Sequence, residues 1–323
     1  MSKFDLDIDK VVSIIEERCA KKIGLQLPSG LSRSALKIAK KIEDLTGATV
    51  LISGNHCYGA CDVDEFLQRE VDILFHFGHA EIKPIDNVIF IEVRSYANII
   101  SVLEHAIKMS RGSRIGLVSN TQHVHKLDDA REYLLQHGKD CFIGKGDSRV
   151  KYDGQILGCN FSAARVDADE FIYIGSGNFH PLGVALATSK RVIIADPISN
   201  EVREIDSETY LRQRYAIIAK ALHAKTFGII VSTKSAQTRM ELAMKLKEKA
   251  FRNGLETHLI SMDEITPDKL SLFKLDAFVN TACPRITIDD AALFKTPMLT
   301  PAEFEIVLGE RDWSRIKFDE IIG

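Results

Sequence analysis

Apolar and polar positions along the chain fall into one pattern three times over. A short apolar run with an internal glycine, Lys22-Ile-Gly24-Leu-Gln26-Leu27, is followed by a turn at Pro28-Ser-Gly30. Helix-spaced apolar positions over 31–45 come next and stop at Thr46-Gly47. A second run at 48–52, a helical piece around 64–70, and runs at 71–75 and 88–93 complete a unit that reads β-α-β-α-β-β. The order recurs from Arg114-Ile-Gly116-Leu-Val-Ser119, with a helix over 126–137 and strands at 140–143, 170–174 and 192–195. It recurs again from Thr226-Phe-Gly228-Ile-Ile-Val-Ser232, with a helix over 238–252 stopped at Asn253-Gly254 and strands at 256–260 and 276–279. The opening glycines are 92 and 112 residues apart, too long a period for a solenoid and right for small domains. Apolar spacing over 11–20 predicts a leading helix, and similar stretches at 95–109 and 207–224 read as helices linking the copies.

Strands alternating with helices argue for parallel sheets wrapped by right-handed crossovers. The expected fold class is therefore α/β: three duplicated α/β domains, 1–105, 106–216 and 217–323, with mainly parallel sheets in a pseudo-threefold arrangement. A chain of 323 residues, 45% hydrophobic, supports that division. A net charge of −3 and a pI near 6.4 provide no basic excess for neutralising phosphates, so neither nucleic acid nor an anionic membrane is an expected partner. No apolar run approaches the roughly 20 residues of a membrane span, and Met1 to Lys10 lacks the apolar core of a signal peptide. The expected location is cytoplasmic. Six cysteines in such a chain are poor candidates for a disulfide framework and better ones for metal binding, catalysis or burial.

Ligands gather at the carboxyl ends of parallel strands. Cys61 follows the strand at 48–52, Cys159 lies in the strand-to-helix region of the second copy, and Cys283 follows the strand at 276–279. One thiol per copy can face a common centre, although the three are 98 and 124 residues apart. Cys19, in the leading helix, and Cys141, inside an apolar strand, read as burial sites, while Cys57 shares its loop with Cys61. Each of the three sits beside small or turn residues: Gly59-Ala-Cys61, Gly158-Cys159-Asn160 and Thr281-Ala-Cys283-Pro284. Three thiolates without a fourth partner suit a 4Fe-4S cluster with one open iron. Structural zinc normally needs a fourth ligand, which Cys57, His56 or His180 supplies, so zinc stays a competitor.

Tyr58-Gly-Ala-Cys61-Asp62, Gly158-Cys159-Asn160, Gly175-Ser-Gly177-Asn178-Phe-His180-Pro-Leu-Gly183, Asn280-Thr-Ala-Cys283-Pro-Arg285 and Thr296-Pro-Met-Leu-Thr300-Pro301-Ala-Glu303-Phe304 together resemble the diphthamide-biosynthesis enzymes of archaea, over essentially the full length. Two loops depart from that pattern, with Ser29 where an acidic residue is expected and Ala236 where glycine is usual. The resemblance implies a homodimeric 2-(3-amino-3-carboxypropyl)histidine synthase whose 4Fe-4S cluster is held by Cys61, Cys159 and Cys283. It implies S-adenosylmethionine as cosubstrate, translation elongation factor 2 as protein substrate, and an electron donor. The reduced cluster then breaks the carbon–sulfur bond on the aminobutyrate side, releasing methylthioadenosine and a radical that adds to the target imidazole.

Given that cosubstrate, further side chains acquire candidate roles. Arg285 offers a bidentate partner for its carboxylate, or a salt bridge to another part of the protein. Ser235 and Gln237, in the segment 232–237 before a helix, are candidates for carboxylate or ribose oxygens, although an N-cap explains Ser235 equally well. His79, His180 and Asn178 follow third strands and are candidate contacts to the cosubstrate or the incoming histidine. Asp62 either orients the ammonium or caps the next helix. The run Gly175-Ser-Gly177 lacks the spacing of a dinucleotide fingerprint. Two other classes fit the same cysteines: a quinolinate-synthase-like 4Fe-4S lyase acting on a small acid, and a non-enzymatic interaction protein clamped by zinc.

Overall fold

The three glycine-centred runs become the inner strands of three sheets in the computed structural model, which describes residues 4–323. Of the amino-terminal stretch read above, residues 1–3 lie outside the described residues. The first sheet comprises β1 (Lys22–Gln26), β2 (Thr49–Ile52), β3 (Ile73–Phe77) and β4 (Val88–Ile91), ordered β2-β1-β3-β4. The second comprises β5 (Arg114–Ser119), β6 (Asp140–Phe142), β7 (Glu170–Ile174), β8 (Arg191–Asp196) and β9 (Glu201–Glu204), ordered β6-β5-β7-β8-β9. The third comprises β10 (Thr226–Ser232), β11 (Glu256–Met262), β12 (Ala277–Asn280) and β13 (Met298–Leu299), ordered β11-β10-β12-β13. Pairing is parallel except at β9, which runs antiparallel to β8.

One packing detail makes the copies equivalent. Gly24, Gly116 and Gly228 pair in register with Leu74, Phe171 and Phe278 on the neighbouring strand. A Cβ on any of these glycines would stand 2.2–2.8 Å from that partner's side chain, so each glycine makes room for a bulky residue at the same point of its sheet. Apolar clusters cover both faces of every sheet, as a doubly wound arrangement requires.

The helices are α1 (Ile8–Glu17), α2 (Ala35–Thr46), α3 (Glu65–Glu70), α4 (Ile100–Met109), α5 (Leu127–Gln136), α6 (Phe179–Thr188), α7 (Ser207–Ala221), α8 (Met240–Arg252), α9 (Pro267–Ser271), α10 (Pro284–Ile288) and α11 (Pro301–Val307). The helix expected over 31–45 opens as a 3-10 turn, Ser29–Ser34, before α2. The two helices expected as linkers are packed instead. Val102, Leu103 and Ala106 of α4 lie in the core of the second sheet, and Ile218 and Ala221 of α7 in that of the third. A fully buried Val or Leu contributes about 1.5–3 kcal/mol, which fixes each helix to the sheet that follows it. The divisions expected at 105/106 and 216/217 therefore fall inside α4 and α7.

Cys19 also departs from expectation. It is exposed, beyond the end of α1, at a left-handed φ of 51° that turns the chain out of the helix. The closing motif proves structural. Thr300 and Glu303 form a capping box on α11, and Glu303 takes the fork of the buried Arg214 from α7 at 2.7 and 2.5 Å.

Candidate metal centre

The loop carrying Cys61 is shaped by buried polar groups at the ends of β1 and β10. Gln26, 1% exposed, donates through Nε2 to the Asp62 carbonyl (2.8 Å) and accepts at Oε1 from the Asp64 amide (3.1 Å). Asp64, not Asp62, is the N-cap of α3, accepting from the Leu67 amide at 2.9 Å. The Asp62 carboxylate is buried and already committed: it accepts from the Tyr58 amide (3.2 Å) and from Lys234 Nζ (2.5 Å), which comes from the third sheet. That pairing removes it from both roles expected of it.

Gly158 and Cys159 form the tip of a tight turn closed by Leu157 and Asn160, whose amides and carbonyls are exchanged at 3.0 and 3.3 Å. A Cβ at Gly158 would lie 2.2 Å from Phe179 Cε1, so only glycine lets this turn press against the start of α6. The carboxyl-terminal segment straps the turn from outside: the Ile321 amide donates to the Cys159 carbonyl (2.7 Å), and Asn160 Nδ2 donates to the Ile321 carbonyl (3.0 Å). Cys283 ends the third sheet's loop at the start of α10. Asn280 holds that loop, donating from Nδ2 to the Cys283 carbonyl (2.8 Å) and accepting at Oδ1 from the Ala282 amide (2.9 Å).

The three thiols are within electrostatic reach of one another. Burial, above all, raises the pKa of each, to about 12 for Cys159 and Cys283. A charged Cys61 raises both of the others further, and Cys159 raises Cys283. Such a site keeps its thiols protonated until a cation replaces the protons. Two groups already favour negative sulfur. Gln237 Nε2 donates to Cys61 Sγ at 3.4 Å. Arg149, 8% exposed, acts on Cys61 and Cys159, yet its Nε and Nη2 find no hydrogen-bond partner among the described residues. A buried guanidinium with unused donors needs an anion, and a thiolate-bound cluster supplies one.

Separation decides between one ion and several. Among the described residues, the one group of three Cys, His, Asp or Glu side chains with all ligand atoms within 4.8 Å of one another is Cys57, His76 and His79; Cys61, Cys159 and Cys283 are spread wider. Zinc about 2.3 Å from each thiolate holds sulfurs no more than about 4.6 Å apart. At least one pair of the three sulfurs therefore stands farther apart than one zinc ion holds, so as arranged they do not enclose a single ion.

His79, His180 and Arg285 line one cavity of about 460 Å³, together with Ser29, Cys57 and Gly158. Arg285 Nε donates to Asp289 one turn on, at 2.8 Å, and its guanidinium lies over the rings of Tyr58 and Phe179. Burial depresses His79 and His180 to about 4, so both are neutral near pH 7 and act as hydrogen-bonding groups rather than charges. His180 stacks on Tyr173. Ser235 and Asn178 are exposed and do not line this cavity, and neither caps its helix through its side chain. Gln237 serves a sulfur, not the cavity. A second cavity, about 510 Å³, lies at the Asp62–Lys234 pair, but Asp64, Glu65, Asp263 and Glu264 make it unsuited to a carboxylate. Two residues of the site carry no signal in the sequence: Arg149 belongs to no motif, and His76, expected just beyond a strand ending at Phe75, lies inside β3.

The chain matches, over residues 27–318, the model of the family described as "Putative diphthamide synthesis protein". It is 39% identical over 310 residues to the 2-(3-amino-3-carboxypropyl)histidine synthase of Pyrococcus horikoshii, across 94% of this chain and 90% of that protein. It is 31% identical over 329 residues to subunit 1 of the Mus musculus synthase, across 97% of this chain and 74% of that protein. The fold is similar to the crystal structure of Dph2 from Pyrococcus horikoshii with a 4Fe-4S cluster, with a TM-score of 0.92 and 37% identity over 99% of this chain and 94% of that one. Sequence, three-sheet architecture and fold likeness agree, and the chain belongs to the diphthamide synthesis protein family.

Proposed function

We propose that this protein is a 2-(3-amino-3-carboxypropyl)histidine synthase, a transferase that moves the 3-amino-3-carboxypropyl group of S-adenosylmethionine onto a histidine of translation elongation factor 2, the first step of diphthamide biosynthesis. The observation that carries the reading is the convergence of one thiol from each of three sheets, not gathered about a single ion, in a chain similar to a cluster-bearing Dph2. Cys61, Cys159 and Cys283 would hold the cluster. When bound, a 4Fe-4S cluster supplies one electron to the sulfonium and an open coordination position beside it.

The chain's own residues bind and orient. Arg285 faces the 460 Å³ cavity with a guanidinium suited to the cosubstrate carboxylate. Neutral His79 and His180 offer hydrogen bonds to the cosubstrate or to the incoming imidazole in the same cavity. Gln237 and Arg149 favour thiolate over thiol at Cys61, and Arg149 does so at Cys159. Ser235 and Asn178 stay outside the proposed set. The working unit is a homodimer served by an external electron donor, and each chain consists of three α/β units divided before α4 and before α7.

Iron and sulfide analysis of anaerobically purified protein tests the assignment. Cys61→Ala, Cys159→Ala and Cys283→Ala each lose the cluster, whereas Cys19→Ala and Cys141→Ala keep it. Wild-type iron in any of the first three overturns the ligand set.

A further inference from the structure

Cys57, His76 and His79 form a second convergence of ligand atoms, separate from the three distant cysteines. The backbone explains why they meet. His76 is the penultimate residue of β3 and His79 lies three residues on, positions that would point to opposite faces of a continuous strand. Gly78, at φ +86°, breaks the alternation and returns His79 to the side of His76. The loop after β2 then lays Cys57 over both: Cys57 Sγ is 3.6 Å from His76 Nε2 and 4.0 Å from His79 Nδ1, and the two nitrogens are 2.9 Å apart.

The lone pair at His76 is fixed by its neighbour. Gln26 donates through Nε2 to one backbone carbonyl and accepts at Oε1 from one backbone amide, which sets the orientation of its amide. Its Oε1 lies 2.9 Å from His76 Nδ1, so Nδ1 carries the proton and Nε2 presents a lone pair to Cys57 and His79. A ligating histidine normally has such an oxygen behind it. Tetrahedral zinc, about 2.3 Å from sulfur and 2.0–2.1 Å from nitrogen, places S and N about 3.6 Å apart and two nitrogens about 3.3 Å apart. A shift of about 0.4 Å by one imidazole brings the observed triangle to those edges.

We propose that Cys57, His76 and His79 bind one divalent zinc ion, with the fourth position open to the cavity that Cys57 and His79 line. Three protein ligands and one open position are the arrangement of zinc sites that accept an outside donor. The ligand it would take is a neutral nitrogen or oxygen donor, such as an imidazole. The site makes no use of Cys61, Cys159 or Cys283 and stands independently of the cluster.

The test uses the full chain carrying Cys61→Ser, Cys159→Ser and Cys283→Ser, titrated anaerobically with cobalt(II) as the spectroscopic stand-in for zinc. One equivalent should produce tetrahedral ligand-field bands and a thiolate-to-cobalt charge-transfer band, and added imidazole should shift the ligand-field bands. Cys57→Ser in that background should abolish the charge-transfer band and weaken binding at least about tenfold. No charge-transfer band, or one that survives Cys57→Ser, overturns the site. The wild-type chain gives a second readout that does not depend on the triple variant folding. Zinc and iron counted together should show one zinc per chain, lost in Cys57→Ser and His76→Gln while iron is retained. Iron without zinc in the wild type overturns this site and leaves the cluster reading intact; zinc without iron does the reverse.

Discussion

Lys234 Nζ stands 2.5 Å from Asp62 Oδ1, an ion pair that ties the loop after β2 to the loop after β10. The Asp62 side chain is 5% exposed and that of Lys234 20%. This is a mostly buried bridge between sheets rather than a solvated surface pair.

Removing one partner strands the other. Lys234→Met leaves a buried carboxylate uncompensated and is expected to cost about 3 kcal/mol, the low end for such losses because Lys234 keeps some solvent. Asp62→Asn should cost less, since the Tyr58 amide keeps an acceptor. Thermal unfolding of the metal-free protein measures both. Equal midpoints for Lys234→Met and wild type would mean that the pair does not hold the loops.

Arg149 should behave oppositely with and without the cluster. In metal-free protein, Arg149→Met removes a buried, under-paired charge and is expected to raise the melting temperature. In cluster-loaded protein the same change removes a positive charge beside thiolates, and the reduction potential should move to more negative values. Potentiometric titration followed by electron paramagnetic resonance reads the second effect.

Gly158→Ala places a methyl 2.2 Å from the Phe179 ring. Either the turn or α6 has to move, at about 1–3 kcal/mol for overpacking. Because Cys159 is the next residue, iron content is expected to fall along with stability. The loss should be partly restored by Phe179→Leu, which opens the contested space.

His123 provides a pH signature. It is fully buried, neither ring nitrogen has a partner among the described residues, and burial lowers its pKa from 6.5 to about 4. Below pH 6.5 the unfolded chain takes up a proton that the folded one refuses. Stability is therefore full above 6.5 and is lost as pH falls towards 4, by about 3 kcal/mol from this residue. His123→Leu should flatten that part of the curve in denaturant titrations at pH 7 and pH 4.5.

The sheets were legible in sequence where both faces of a strand are buried. β5, β7 and β10 read as unbroken apolar runs, and their bounds agree with expectation. β9 was not, because Glu201-Val-Arg-Glu204 is a polar edge strand. Nor was α6, whose segment from Pro181 to Ala185 is buried all round and contains proline and glycine, so it has no 3.6-residue rhythm to detect. The three cysteines stood out as candidates because each lies beside a recognisable turn. Arg149 did not, since the burial of a lone arginine in a loop follows from packing between distant segments. The Cys57–His76–His79 group depended on the left-handed turn at Gly78, and a sequence that suggests a plain strand end hides it.

The most direct measurement of the central claim is the product formed when the anaerobically reduced protein meets S-adenosylmethionine. The account predicts methylthioadenosine, dependent on reductant and lost in Cys61→Ala, Cys159→Ala and Cys283→Ala. With elongation factor 2 present, its target histidine gains a 3-amino-3-carboxypropyl group. Formation of 5′-deoxyadenosine, or no cleavage by iron-replete reduced protein, would contradict it.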